Sequence, residues 1–144
     1  MAPFIVLIVS FVLFRMLGLL GLTPFDGWHP SLQAAAAVML LLTASAHWGK
    51  RRADLVRMVP SSFPRPGLIA TITGLLEIAG AVGLLFSATS QAASWCLAAL
   101  LIAMFPANVH AAKKKLTIGG RPVPGLLVRS LLQLVFIAAV LLSG

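Results

Sequence analysis

The sequence predicts an all-α, polytopic integral membrane protein. Three observations carry that expectation: a composition that is 60% hydrophobic and only 10% charged, a mean hydropathy of +1.03, and recurring apolar stretches of near-membrane length. A soluble domain of 144 residues has too little interior to hide so much apolar surface, so lipid must act as part of the solvent. Lipid offers no partner to free backbone N–H and C=O groups, so each crossing has to be helical.

Five stretches qualify as spans: Pro3–Leu22, Pro30–Trp48, Gly67–Ser87, Ala92–Ala107 and Pro124–Ser143. The fourth is short and is expected to run past Pro106 through Ala112. At about 1.5 Å per residue, each covers most or all of a roughly 30 Å hydrocarbon core. The first is read as a retained helix rather than a signal peptide. No Lys or Arg precedes its apolar run, Arg15 interrupts it, and no A-x-A-like cleavage site follows Leu22.

The connections alternate in charge. Thr23–His29 carries Asp26 and no base, and Ser87–Gln91 carries no charge. Lys50, Arg51, Arg52, Arg57 and Arg65 lie between the second and third spans, opposed only by Asp54. Lys113, Lys114, Lys115 and Arg121 lie between the fourth and fifth. The positive-inside rule puts both basic loops in the cytoplasm, giving five crossings with the amino terminus in and the carboxyl terminus out. The net charge of +8 therefore points to anionic lipid headgroups at Lys50, Arg51, Arg52, Lys113, Lys114 and Lys115, not to nucleic acid. Within the first basic loop, Leu55, Val56, Met58 and Val59 among charged neighbours predict a short interfacial helix, stopped by Pro60, Pro64 and Pro66. Gly119-Gly120 marks a turn in the second.

Arg15, Glu77 and Arg129 are the ionisable residues inside spans. Such groups cost several kcal/mol unless they face the bundle interior and find partners. Glu77 lies about 15 Å from the cytoplasmic edge by residue count, and Gln133 about 14 Å. Gln133 shares a helix face with Arg129, four residues earlier. An interior polar cluster of Arg15, Glu77, Arg129 and Gln133 is expected, as a packing device or as a pocket for a polar headgroup. A second group, His47, Trp48, Asn108 and His110, gathers by residue count near the cytoplasmic face and could line one cavity there. The bland reading of such His and Trp residues is interfacial anchoring, which is also expected of Trp28 and His29 on the outer face. Two histidines without a third ligand at recognisable spacing do not make a metal site.

Small residues, among them Gly18, Gly21, Ala34–Ala37, Gly74, Ala79, Gly80 and Gly83, are expected at close helix contacts, within the chain or in a homodimer. Cys96, the sole cysteine, reads as a small apolar side chain in the interior. No nucleophile–base arrangement, P-loop or dinucleotide fingerprint is visible.

From Ala35 to about Leu142 the chain resembles the DoxX-like family of small integral membrane proteins. The resemblance rests on an ordered set of motifs. They are Thr43-Ala-Ser-Ala-His47, Met58-Val-Pro60 with Phe63-Pro64, Thr73-Gly74-x-x-Glu77-x-x-Gly80, Met104-Phe-Pro-Ala-Asn-Val-His-Ala-Ala112 and Arg129-x-x-x-Gln133. It implies a four-helix membrane bundle over residues 30–144, with residues 1–29 adding an amino-terminal transmembrane helix and outer loop. Some similar proteins accompany membrane redox systems that use quinone or handle thiols, and similar animal proteins assist channel assembly. The bundle also resembles that of quinone-linked disulfide-forming enzymes, but this chain lacks their paired cysteines, so thiol oxidation does not carry over.

The expectation that follows is a non-catalytic accessory protein of the bacterial cytoplasmic membrane, assisting a membrane redox or stress-response complex through a protein partner. Two alternatives stay open: binding or transport of a small amphipathic ligand, a quinone or a lipid, in an intramembrane polar pocket, and a subunit of a quinone-linked oxidoreductase. Quinone is the one cofactor the resemblance suggests. Topology is checked in a Cys96→Ser background carrying Gln91→Cys or Lys50→Cys. An impermeant thiol reagent is expected to label Gln91→Cys on intact cells and Lys50→Cys only after permeabilisation. The reverse pattern would invert the assignment.

Overall fold

The computed structural model describes residues 2–21, 27–60, 62–118, 121–122 and 125–144, and within them the long apolar runs are helical. In chain order the elements are α1 (Ala2–Leu19), α2 (Trp28–Ser45), α3 (Arg52–Met58), α4 (Pro66–Leu84), α5 (Ser90–Ala103), α6 (Phe105–Lys113), β1 (Thr117–Ile118), β2 (Arg121–Pro122) and α7 (Leu126–Leu142). The two short strands pair antiparallel, Thr117 opposite Pro122 and Ile118 opposite Arg121. The expected Gly119-Gly120 turn and Asp26 lie outside the described residues.

Prolines set the boundaries. Pro66 opens α4 at a position where its missing N–H has no helical partner to lose. Pro106 sits in the first turn of α6. It cannot donate to the preceding turn, and the chain departs from α-helix at Met104, between α5 and α6. The expected continuation of the fourth stretch past Pro106 is present, as a helix of 24 residues over Ser90–Lys113 interrupted at that point. This segment and Pro66–Leu84 are long and apolar enough to cross a membrane, while Pro3–Leu19 and Leu126–Leu142 are apolar but shorter. The short helix expected in the first basic loop is α3, and its Met58 is buried.

α2 packs against α4, α4 against α5, α5 against α7, and α7 returns to α2, closing a four-helix ring; α1 lies along α2. At one end, Gln33 Nε2 donates to Ser143 O at 2.8 Å and a ring nitrogen of His29 lies 2.8 Å from Gly144 O, tying the start of α2 to the end of α7. The opposite end holds α3, the end of α6 and the start of α7, together with the basic residues around them. Inside the ring, Ala35, Ala36, Leu40, Ala81, Leu84, Leu97 and Val140 exclude the surroundings. Large apolar side chains also cover the outside: Leu127 is 73% exposed, Leu134 64% and Trp95 64%. An apolar exterior over an apolar interior is what a bilayer-facing bundle needs.

Helical rotation decides the fate of the small residues. Gly18, Gly74 and Gly80 are buried, whereas Gly21 and Ala79 are exposed. Cys96 is exposed as well, which corrects the interior reading. It stands one residue before buried Leu97, and one residue is about 100° of helix.

At Gly80 a β-carbon would fall 2.6 Å from Leu97 Cγ, too close for α4 and α5 to keep their separation. At Gly125, just before α7, it would meet nothing within 4 Å. Gly80→Val is therefore expected to destabilise the bundle by about 1–3 kcal/mol, with Gly125→Ala close to neutral. Thermal unfolding in mild detergent distinguishes the two.

Candidate functional site

Two buried polar networks occupy the half of the bundle that carries the basic residues. The first joins α2 to α4. Thr73 and Glu77 are four residues apart and share one face of α4, while His47 lies in the turn just after α2, four residues beyond Thr43. Glu77 is 3% exposed and His47 5%. His47 Nε2 lies 3.6 Å from Glu77 Oε2, and Thr43 Oγ1 lies 3.2 Å from the same oxygen. His47 Nδ1 is 2.6 Å from Ala70 O and 3.4 Å from Thr73 Oγ1.

The close approach depends on Gly74. A β-carbon there would fall 2.8 Å from the Trp48 ring and 2.9 Å from His47 Cβ. Without one, the turn after α2 settles directly on α4.

Donor–acceptor rules fix much of this network. A backbone carbonyl only accepts, so Nδ1 of His47 carries hydrogen and donates to Ala70 O. Nε2 then faces a carboxyl oxygen. At 3.6 Å the contact is longer than a hydrogen bond, and it is an ion pair only when the imidazole is protonated. The Thr43 hydroxyl has one hydrogen and two acceptors in range, Leu40 O at 2.9 Å and Glu77 Oε2.

The second network joins α6 to α7 and ends on α5. Arg129 Nη2 donates to Asn108 Oδ1 at 2.6 Å, and Asn108 Nδ2 to Gln133 Oε1 at 3.2 Å. Gln133 Nε2 then donates to Leu101 O. Leu101 is in the last turn of α5, where carbonyls lack helical donors, so buried Gln133 caps a helix end from a neighbouring helix.

The expected four-residue cluster is thus divided. Gln133 and Arg129 share one network, Glu77 belongs to the other, and the polar partners of Glu77 are Thr43 and His47, not the arginines. Arg15 stands on α1, which packs along α2. The expected cavity of His47, Trp48, Asn108 and His110 is divided too. Trp48 is 45% exposed. Asn108 faces α7, while His110 turns to α3, with Nδ1 3.0 Å from Met58 O. Two residues of helix are about 200° of rotation, so Asn108 and His110 point to opposite sides of α6.

A cavity of about 240 Å³ does exist, between α3, α4 and the α5–α6 break. Its wall is apolar, built from residues such as Leu55, Met58, Ile69, Leu100 and Ala107, with His47 and Thr73 as its polar positions. Arg52 holds α3 in place beside it, donating to His47 O at 2.7 Å, to Gly67 O at 2.9 Å and to Thr71 Oγ1 at 2.9 Å. Arg52 is thus half-buried and turned inward, whereas Lys50, Arg51, Lys113, Lys114 and Lys115 are exposed. No group of three metal-ligating side chains occurs among the described residues.

Sequence reasoning named Thr43 and Thr73 only within motifs and Arg52 only as a headgroup contact, and gave none of them a place in these networks. The two threonines carried a usable signal, because each stands one helical turn from an ionisable side chain in a span.

Among known proteins, the model of a domain of unknown function, DUF8561, matches residues 36–143. The match begins inside α2 and leaves α1 outside. No curated protein and no solved structure matches the chain.

Coupling between His47 and Glu77 is measurable by a double-mutant cycle with Glu77→Gln and His47→Phe. Each single change is expected to destabilise by about 1–3 kcal/mol, with an interaction energy of about 0.5–3 kcal/mol. Simple additivity in unfolding experiments would show that the two side chains do not act as a unit.

Proposed function

We propose that this chain, which belongs to the DUF8561 family of unknown function, is a five-span membrane protein that holds the apolar part of a small amphipathic molecule beneath α3. The observation that carries this reading is the cavity itself: about 240 Å³, apolar on most sides and polar at His47 and Thr73. An apolar cavity of about 150 Å³ accommodates benzene, so this one takes a substituted ring or a short acyl segment. Concave, mostly apolar sites with a few polar groups are the usual form of small-molecule sites. A quinone ring and a lipid chain end both suit it. The kinship to DoxX-like bundles belongs to the same proposal, as do a bacterial cytoplasmic membrane and basic loops on its inner side.

A second reading, a non-catalytic accessory protein, draws support from the way Glu77 and Gln133 find their partners inside the bundle. Such internally satisfied groups set helix register without requiring a ligand.

The two readings separate on gentle purification followed by mass spectrometry of co-purifying small molecules. Wild type is expected to retain an amphipathic molecule near one per chain. Ala107→Phe, which fills the cavity, is expected to lose it. Ala99→Phe, placed on the exposed side of α5, is expected to keep it. Equal retention by a folded Ala107→Phe variant would overturn the cavity reading, and a protein partner retained by all three would favour the accessory one.

A further inference from the structure

Among the described residues, Arg129 on α7 makes no ion pair with an acid. The chain has eleven Lys and Arg residues and three acids. Among the described acids, Asp54 pairs with Arg57 and Glu77 faces His47 and Thr43. The third, Asp26, lies outside the described residues. Arg129 gives its hydrogen bond to a neutral amide, Asn108 Oδ1. Its Nε is buried and has no hydrogen-bond partner.

This arginine does not simply lean out into lipid. It shares the helix face of buried Gln133 and Val140, whereas Leu127, Leu131 and Leu134 cover the outer face of α7. Residue count puts it about one turn inside the basic end of the bundle, roughly 5 Å along α7 from Leu126. On the five-span topology proposed above, on which this inference rests, that brings the side chain within reach of headgroup phosphate. The Asn108–Gln133–Leu101 relay also limits the guanidinium's freedom. Asn108 presents its oxygen to Arg129 because its NH2 is used on Gln133, and Gln133 is fixed by a backbone carbonyl.

We propose that Arg129, held by Asn108, is the seat of a phosphate-type oxyanion, supplied by the headgroup of an anionic phospholipid lodged at the junction of α6 and α7. A guanidinium gives phosphate two parallel N–H donors and is the side chain best shaped for it. The oxyanion neutralises a cation that pairs with none of the described acids, and the start of α7 adds favourable dipole potential. Exposed Lys113, Lys114 and Lys115 at the same end attract anionic lipid generally, while Arg129 selects one position.

The test measures lipid adducts by native mass spectrometry, and thermal stability, in mild detergent. The probes are phosphatidylglycerol, monoolein as an uncharged lipid, and inorganic phosphate. Phosphatidylglycerol is expected to form a one-to-one adduct and raise the unfolding temperature, with no such effect from monoolein. Arg129→Gln is expected to weaken the adduct about tenfold. Arg129→Lys, which keeps the charge and guards against a folding artefact, is expected to fall between the two. Lys113→Gln/Lys114→Gln/Lys115→Gln is expected to retain the adduct. Competition by millimolar inorganic phosphate would support the oxyanion seat while assigning it to a soluble phosphate. Wild-type affinity in folded Arg129→Gln, or equal loss in the triple lysine variant, would overturn the proposal. Ala107→Phe leaves this seat intact, so its failure and that of the cavity reading are separately visible.

Discussion

The arrangement of the basic half of the bundle depends on how closely the turn after α2 can approach α4. Gly74 sets that distance. Its missing side chain admits the ring of Trp48 and the β-carbon of His47, which brings the imidazole between Ala70 O and Glu77. The backbone of the same turn then receives Arg52, whose guanidinium also reaches Gly67 and Thr71 at the start of α4. A single absent methyl group therefore precedes three attachments: the buried His47–Glu77 contact, the seating of α3 and one wall of the cavity. In a bilayer, where apolar contact between helices gains little over contact with lipid, close approach and hydrogen bonding are the forces left to define such a junction.

Helix content and the interior placement of Glu77 and Gln133 were legible in the sequence, because both follow from the cost of polar groups in an apolar medium. Partner choice was not. Residue count along a helix gives depth, and Glu77 and Gln133 do have similar expected depths, but depth does not say which neighbour each face meets. Arg129 was expected beside Glu77 and instead bonds Asn108. Asn108 and His110 were grouped because residue count gives them similar depth, and two residues of helix turn them to opposite sides. The exposure of Cys96 has the same origin. Apolar runs without strong polar faces give no clear phase, since lipid and protein interior favour similar side chains.

The α5–α6 break was not read from the sequence, where the fourth stretch was expected to run on past Pro106 through Ala112. Its value to the site lies in what it places around it. By ending α5 early, it leaves Leu101 O in a last turn that needs donors, and Gln133 supplies one from α7. Ala103, Met104, Pro106 and Ala107, at and beside the break, form one side of the cavity.

Because α6 is only nine residues long and is tethered on two sides, it behaves as a short lever. One side is fastened to α7 through Asn108 and Arg129, the other to the end of α3 through His110 and Met58 O. The break at Met104 is its pivot. Any displacement of α6 would move Ala107 in the cavity wall and Asn108 beside Arg129 together. Free-energy coupling through such a link is reciprocal: whatever a group held at Arg129 does to the cavity wall, an occupant of the cavity does to Arg129 in return.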